Sequence, residues 1–383
     1  MPTDIITVHL RLPGLVVLGT KEWEDRLEVV ACYGNEEAVC PRCGRSTWQV
    51  HQWHPQRKRD AKLWGKPAWI LLWKRRFRCR GCHKVFTEED PACGRFRRTT
   101  RRLRRQVAKE GEEASIRAVA RWHGVSEGLV QRSWLEAHPP PARDGPPVFL
   151  GLDGFSVARP REMWTGIWDM QRRVPLMAVA GEGQRHVQPV LDSLPRPELV
   201  QAVVMDLHEP YRQAVQMVLP EAAIVADKFH VIALANEALR EVRRGRRQRG
   251  NLAWLLDRGG ERLRPRERAR LLEGLTAWPE LARAWALKEE LRRLYRSSSY
   301  VAAARGLDAW LQAAWSSGLP SFRRLAGTVQ RWREEILNYW RFPLTNALVE
   351  GKHNRVKVMK RRAYGYRNRR VFLLRFLNLV HTD

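Results

Sequence analysis

The chain has 383 residues, 44% of them hydrophobic, which is more than one compact core usually absorbs and predicts two to four domains. Lys and Arg number 69 against 41 acidic residues, a formal charge of +28, and that surplus argues against a small neutral substrate and for a polyanion such as nucleic acid. No apolar run reaches the roughly 18 residues of a membrane span, the N-terminus lacks a basic start with an apolar core, and the six cysteines are too few for a disulfide scaffold. A cytoplasmic, nucleoid-associated protein is expected.

The charge is clustered. Arg95 to Arg105 holds seven arginines in eleven positions and Arg240 to Arg249 holds six in ten, as phosphate-binding faces do. In chain order, residues 1–94 alternate in short stretches, Arg26 to Cys32 and Ala68 to Phe77 among them, and predict β-hairpins. Within them Cys40-Pro-Arg-Cys43 and Cys79-Arg-Gly-Cys82 pair two knuckles across 35 residues. Cys40, Cys43, Cys79 and Cys82 supply the closed thiolate shell that one structural Zn²⁺ prefers, as in a zinc ribbon. Cys32 and Cys93 read as small core residues.

Residues 95–143 turn helical. Ser115 to Trp134 places Ala120, Gly124 and Val130 at helix-turn-helix spacing, with Ser126 set to cap a second helix whose Glu127, Gln131 and Arg132 can face a major groove. The basic arm before it adds Arg97, Arg98, Arg101 and Arg102 as phosphate contacts. The plain alternative is a helical hairpin with a solvated basic face. The Pro-rich stretch His138 to Pro147 then marks the clearest boundary.

Residues 144–243 alternate between strand and helix: Val148 to Leu152, Trp164 to Trp168, Val174 to Ala180, Ala202 to Met205 and Ala222 to Ala226, with a helix from about Lys228. This is an α/β layout. Residues 244–342 show only helical periodicity and predict an all-helical insertion, and residues 343–383 return with one more helix and a basic tail, Thr345 or Asn346 capping its first turn.

Three carboxylates carry the chemistry. Asp153 is expected to close the strand VFLGLD, Asp206 closes AVVMD, and Glu350 lies on the helix NALVEGKHNRVKVMKRR. An RNase H-like sheet brings the ends of its first and fourth strands together, and a helix beside them can add the third carboxylate. Asp153, Asp206 and Glu350 then offer the hard oxygen ligands that two Mg²⁺ ions need for an in-line phosphoryl displacement, with Mn²⁺ as a substitute.

The strings GLDGFSVARP, VVMDLHEPYRQAV, IVADKFHVIALANEALREVRR and NALVEGKHNRVKVMKRRAYGYRN, with CPRCG and FRCRGCHKVFTE ahead of the helical segment, resemble the bacterial insertion-sequence transposases of the ISL3 family. The resemblance covers nearly the whole chain. It implies that Asp153, Asp206 and Glu350 are a DDE triad, that the helical segment is an insertion within the catalytic domain, and that the chain binds terminal inverted repeats and target DNA, as a homodimer or larger. Asp227 and His230, in ADKFH, are expected to support the site from behind, with direct metal ligation as the other reading. Asn354, Lys357 and Arg361 follow Glu350 at helical spacings and are expected on DNA phosphates. Of the 17 tryptophans, seven lie between Trp254 and Trp340 and read mainly as helical core. Two other functions fit parts of the chain: an RNase H-like DNA nuclease without strand transfer, and a zinc and helix-turn-helix DNA-binding regulator.

Overall fold

The computed structural model describes residues 10–141, 145–158, 162–245, 251–363 and 368–379, with the side chains of 158, 245, 251, 348–350, 352, 353, 362 and 363 outside the description. The chain folds as one unit that ends at Pro139 and a second that begins at Pro140.

The first unit opens with β1 (Leu15–Glu22), β2 (Leu27–Tyr33), β3 (Ala38–Val39), β4 (Ser46–Thr47), β5 (Val50–Leu63), β6 (Lys66–Arg78) and β7 (Val85–Thr87). Its main sheet runs β1-β2-β6-β5, with β7 on β6. The hairpin β5–β6 closes on Trp64 and Gly65, whose positive φ angles of 48° and 78° suit the tight turns that follow the right-handed twist of paired strands. β5 is longer and more polar than anything the sequence pattern suggests. As an edge strand it tolerates Pro55, which cannot donate to a ladder.

Three helices follow, α1 (Arg101–Glu113), α2 (Ile116–His123) and α3 (Glu127–Ala137). Each is capped by a hydroxyl: Thr100 accepts from Leu103 N, Ser115 from Ala118 N, and Ser126 from Leu129 N, the last as the sequence predicts. Gly124 turns α2 into α3 at φ 59°, ψ 44°, where a Cβ would be strained. Leu103, Val107, Val119, Ala120 and Val130 close over Ala61 of β5, so strand and helices share one core. Arg59 locks them, donating to the carbonyls of Ala68 at 2.9 Å and His123 at 2.8 Å.

The second unit holds β8 (Phe149–Ala158), β9 (Glu162–Asp169), β10 (Val174–Ala180), α4 (Gln184–Asp192), β11 (Ala202–Met205), α5 (Glu209–Val218), β12 (Ala223–Ala226) and α6 (Lys228–Gly245). The sheet order is β10-β9-β8-β11-β12. β8, β9 and β10 form an antiparallel meander, and β11 and β12 extend it in parallel with β8. This is a mixed α/β sheet. The strand through Asp153 does not end there: β8 continues to Ala158, because Phe155 and Val157 keep the apolar alternation and Ser156 pairs with Met163 on β9. Only the parallel partner β11 stops, at Met205 opposite Leu152.

Six helices come next, α7 (Asn251–Asp257), α8 (Pro265–Thr276), α9 (Pro279–Leu294), α10 (Tyr300–Ser316), α11 (Pro320–Arg331) and α12 (Arg333–Leu337), then α13 (Ala347–Ala363) and α14 (Arg369–Leu377). One hydrophobic core runs from Leu150 of the sheet to Leu337 of α12, so α7 to α12 share a core with the sheet. Of the seven tryptophans here Trp310 and Trp332 are buried, while Trp254 and Trp315 are exposed. No described helix is long and apolar enough to cross a membrane.

Candidate functional sites

At the far end of the β5–β6 hairpin the four cysteines converge. Cys40 Sγ lies 3.6 Å from Cys82 Sγ and Cys43 Sγ 3.5 Å from Cys79 Sγ, and all four sulfurs fall within 4.8 Å. A tetrahedron of about 2.3 Å Zn–S bonds has edges of about 3.8 Å, so the donor set fits zinc with almost no rearrangement. The two knuckles repeat one turn: Cys40 N donates to Arg45 O and Gly44 N to Cys40 O, while Cys79 N donates to Lys84 O and His83 N to Cys79 O, each at 2.9 Å. Gly44 and His83, the residues after the second cysteines, both take positive φ. The N–H groups of Cys82 and Gly81 pull the Cys79 thiol down to about 6 against its burial, which favours the thiolate that binds metal.

The second site lies at the ends of the parallel strands. Leu152 pairs with Met205 and Met205 with Ala226, so Asp153, within β8, stands level with Asp206 and Asp227, which directly follow β11 and β12. Asp153 and Asp227 are buried. His230, one turn into α6, sets Nδ1 2.8 Å from Asp206 Oδ1 and 3.2 Å from Asp227 Oδ2. Those two carboxylates raise the imidazole to about 10, which favours its protonated form. Asp206 is raised above the usual carboxylate range, first by burial and further by Asp153 and Asp227, although His230 works against both. The ligand atoms of Asp206, Asp227 and His230 lie within 4.8 Å of one another, the spacing a divalent cation needs. Hard carboxylate oxygens in this arrangement fit a divalent cation.

Two more residues join, Glu182, which sequence reasoning missed, and Asn346, whose long-range partners it did not foresee. Glu182, in the turn between β10 and α4, reaches over Gly154: a Cβ built there would fall 2.0 Å from Glu182 Oε1. Burial raises its carboxyl, and the charges of Asp206 and Asp153 raise it further against His208. Asn346, expected to cap α13, makes longer links. Its Nδ2 donates to Leu152 O at 3.1 Å and its backbone N–H to Asp227 Oδ1 at 3.2 Å, which pins the start of α13 beside Asp153. Glu350 follows one turn later on that helix; its side chain lies outside the described residues. Asn354 and Lys357 are exposed further along α13, and so is Arg361.

In the first unit, Glu127 and Arg132 are exposed and Gln131 half-buried on α3. Of the basic arm, Arg97, Arg98 and Arg101 are exposed. Arg102 is occupied: it pairs with the fully buried Asp60 and donates to Leu10 O at 2.8 Å.

Residues 36–82 match the zinc finger of the transposases of IS204, IS1001, IS1096 and IS1165. Residues 150–376 match the transposase family of the ISL3 DDE type, and the chain belongs to that family of DNA transposases. It is 29% identical to the transposase of insertion sequence element IS1001 of Bordetella parapertussis, over 92% of each chain. The transposase of IS1557 of Mycobacterium tuberculosis is 28% identical, over 64% of this chain and 63% of its own.

Proposed function

We propose that this transposase binds the terminal inverted repeats of its insertion sequence and, with magnesium, cuts the strand at the element's end and joins the freed 3′-hydroxyl to target DNA. One observation carries the reading: Asp153, Asp206 and Asp227 stand at one level of three adjacent strands, beside a helix anchored to Leu152 and Asp227 through Asn346 and bearing Glu350. In an RNase H-like sheet the first and fourth strands must be neighbours, and here β8 is paired with β11. The triad is Asp153, Asp206 and Glu350, whose carboxylates would hold two Mg²⁺, Mn²⁺ being a substitute. Bound there, the metals supply Lewis acidity to the attacking and departing oxygens of an in-line displacement. The chain itself places the charge and keeps it in register. Asp227 and His230 orient Asp206 from behind, and Asn354, Lys357 and Arg361 hold the phosphates of the DNA end.

The three hydroxyl-capped helices serve as a helix-turn-helix, with Gln131 and Arg132 of α3 in the major groove and Arg97, Arg98 and Arg101 on the backbone. Because two ends must be paired, the active form is at least a dimer.

Asp206→Asn tests the reading, since it removes a charge and little volume. Cleavage of a labelled end duplex should fall by at least about a thousandfold while binding of that duplex stays within about twofold. Cleavage within about tenfold of wild type would overturn the triad. A hydrolytic nuclease would release cut ends without joining them, so recovery of joined products separates the two chemistries.

A further inference from the structure

A second feature of the first unit lies away from the zinc site. Between the first turn of α1 and the last turns of α3 is a cavity of about 480 Å³, within the span of roughly 300–1,000 Å³ usual for ligand sites. Arg97, Arg101, Arg104, Arg105, Ser133 and Glu136 line it. With Arg95, which also lines it, five guanidinium groups face one carboxylate.

That carboxylate does not neutralise them by direct hydrogen bonding. Glu136 Oε2 stands 3.7 Å from both Arg97 Nη2 and Arg104 Nε, beyond hydrogen-bond length. Arg104 is a buried wall residue, donating to Cys93 O at 2.9 Å, whereas Arg97, Arg101 and Arg105 are exposed at the mouth. Ser133 is 2% exposed and its hydroxyl has no hydrogen-bond partner. Folded proteins rarely leave a buried hydroxyl unpaired, because its lost hydration is not repaid. An oxyanion with several acceptor oxygens would answer both features, accepting from guanidinium forks at the mouth and from the hydroxyl at the wall. The positive end of the α1 dipole adds to the attraction.

We propose that this cavity seats one backbone phosphate of the transposon-end duplex, held by Arg97, Arg101 and Arg105 and by the Ser133 hydroxyl. The assignment rests on the reading of the first unit as the DNA-binding part. Its placement favours a DNA phosphate over a free anion, since Ser133 and Glu136 share α3 with Gln131 and Arg132. A phosphate fixed there sets how far α3 is inserted and which bases its polar face meets, while carrying no sequence information itself. Glu136, 3.7 Å from both Arg97 and Arg104, offsets part of their charge and weakens the hold.

The test uses the full-length, zinc-loaded chain and a duplex cut from the DNA flanking its coding region, with backbone phosphates replaced one at a time by neutral methylphosphonates. In wild type one position should cost at least about tenfold in affinity. In Arg101→Ala/Arg105→Ala that position should cost nothing further, and the slope of log affinity against log salt should flatten by about 0.9 for each phosphate no longer neutralised. Ser133→Ala, which changes no charge, should weaken binding about fivefold, and Glu136→Gln should tighten it about threefold. Zinc content and melting temperature certify that each variant is folded. Wild-type affinity in Ser133→Ala, or a methylphosphonate profile that the double variant leaves unchanged, would overturn the seat while leaving DNA binding intact. A flat profile together with sub-millimolar binding of inorganic phosphate to the DNA-free chain would assign the cavity to a free anion instead. Failure of wild type to bind the duplex at all would remove the DNA-binding reading itself.

Discussion

Most buried acids in both units are paired, Asp169 with Arg172 and Glu335 with Arg212 in the second, but one cluster of the second unit departs from that rule. In the first, each buried acid of the sheet meets a cation: Glu88 takes Arg75 at 2.7 Å, Asp90 lies 3.2 Å from Lys58 and 3.6 Å from Lys74, and Asp60 takes Arg102. In the second, Asp153, Asp206, Asp227 and Glu182 crowd one end of the sheet, and among the described contacts of Asp206 and Asp227 the cation is the His230 imidazole. Balanced pairs satisfy themselves and hold a fold in register. Like charges brought together cost folding energy unless a cation from outside joins them. Charge balance therefore separates scaffold from chemistry here, and among the described residues of the first unit the zinc knuckles are where donors also gather for a metal.

The largest way to break this comparison is to remove the zinc. Structural zinc contributes on the order of 10 kcal/mol to the folding of a small module, so Cys79→Ser should cost the first unit its knuckle turns and most of its cooperative melting. The second unit draws on a separate core and should melt as before. Elemental analysis should find one zinc per wild-type chain and well under one in the variant. A single melting transition, lowered as a whole by the substitution, would show that the two units are not energetically separate.

A smaller effect sharpens the contrast at the acidic end. Glu182→Gln keeps the volume beside Gly154 and deletes one charge from the cluster. If Glu182 helps to draw or orient the metals, the cleavage rate should fall about 10- to 100-fold, and the magnesium concentration for half-maximal rate should rise. A merely packed glutamate would leave that magnesium midpoint where it is. Asn346→Ala should also slow cleavage, but with the midpoint nearly unchanged, because Asn346 places α13 and contributes no charge.

The strands that carry the acids are largely legible in the sequence. Val174–Ala180 and Ala202–Met205 form as predicted, because each is an apolar run bounded by turn residues. β5 is not legible, since its polar, Pro-containing run has no alternation to read and its strand character comes from pairing with β6. Glu182 lies hidden for a related reason. It sits between Gly181 and Gly183 in a turn, and only the approach of β10 to β8 through β9 brings it over Gly154. Asn346 is legible as a polar residue at a helix start, but its true partners, Leu152 and Asp227, are distant in the chain. Local pattern exposes the donors; long-range packing chooses which of them meet.

The smallest predicted effect distinguishes the units by pH. Burial would raise Asp90, but the Tyr33 hydroxyl and the ammonium groups of Lys74 and Lys58 outweigh it and hold the carboxyl below its usual range. A depressed carboxyl contributes stability above its unfolded value of about 3.9 and loses it as pH falls. His230 runs the other way, raised to about 10 by Asp206 first and Asp227 next. Its contribution is complete below the unfolded value of about 6.5 and drains away as pH climbs toward about 10. His230 is 48% exposed, so solvent screening trims that contribution to about 1 kcal/mol. In zinc-loaded protein without magnesium, the melting temperature of the second unit should fall by about 2–4 °C between about pH 6 and pH 9, while the first unit stays level and weakens only in acid. His230→Gln should flatten the slope, and so should magnesium, which competes with the imidazolium for the same carboxylates. A wild-type second unit that melts at one temperature across this range would mean that the imidazole does not neutralise Asp206 and Asp227, and that the cluster is held together by packing alone.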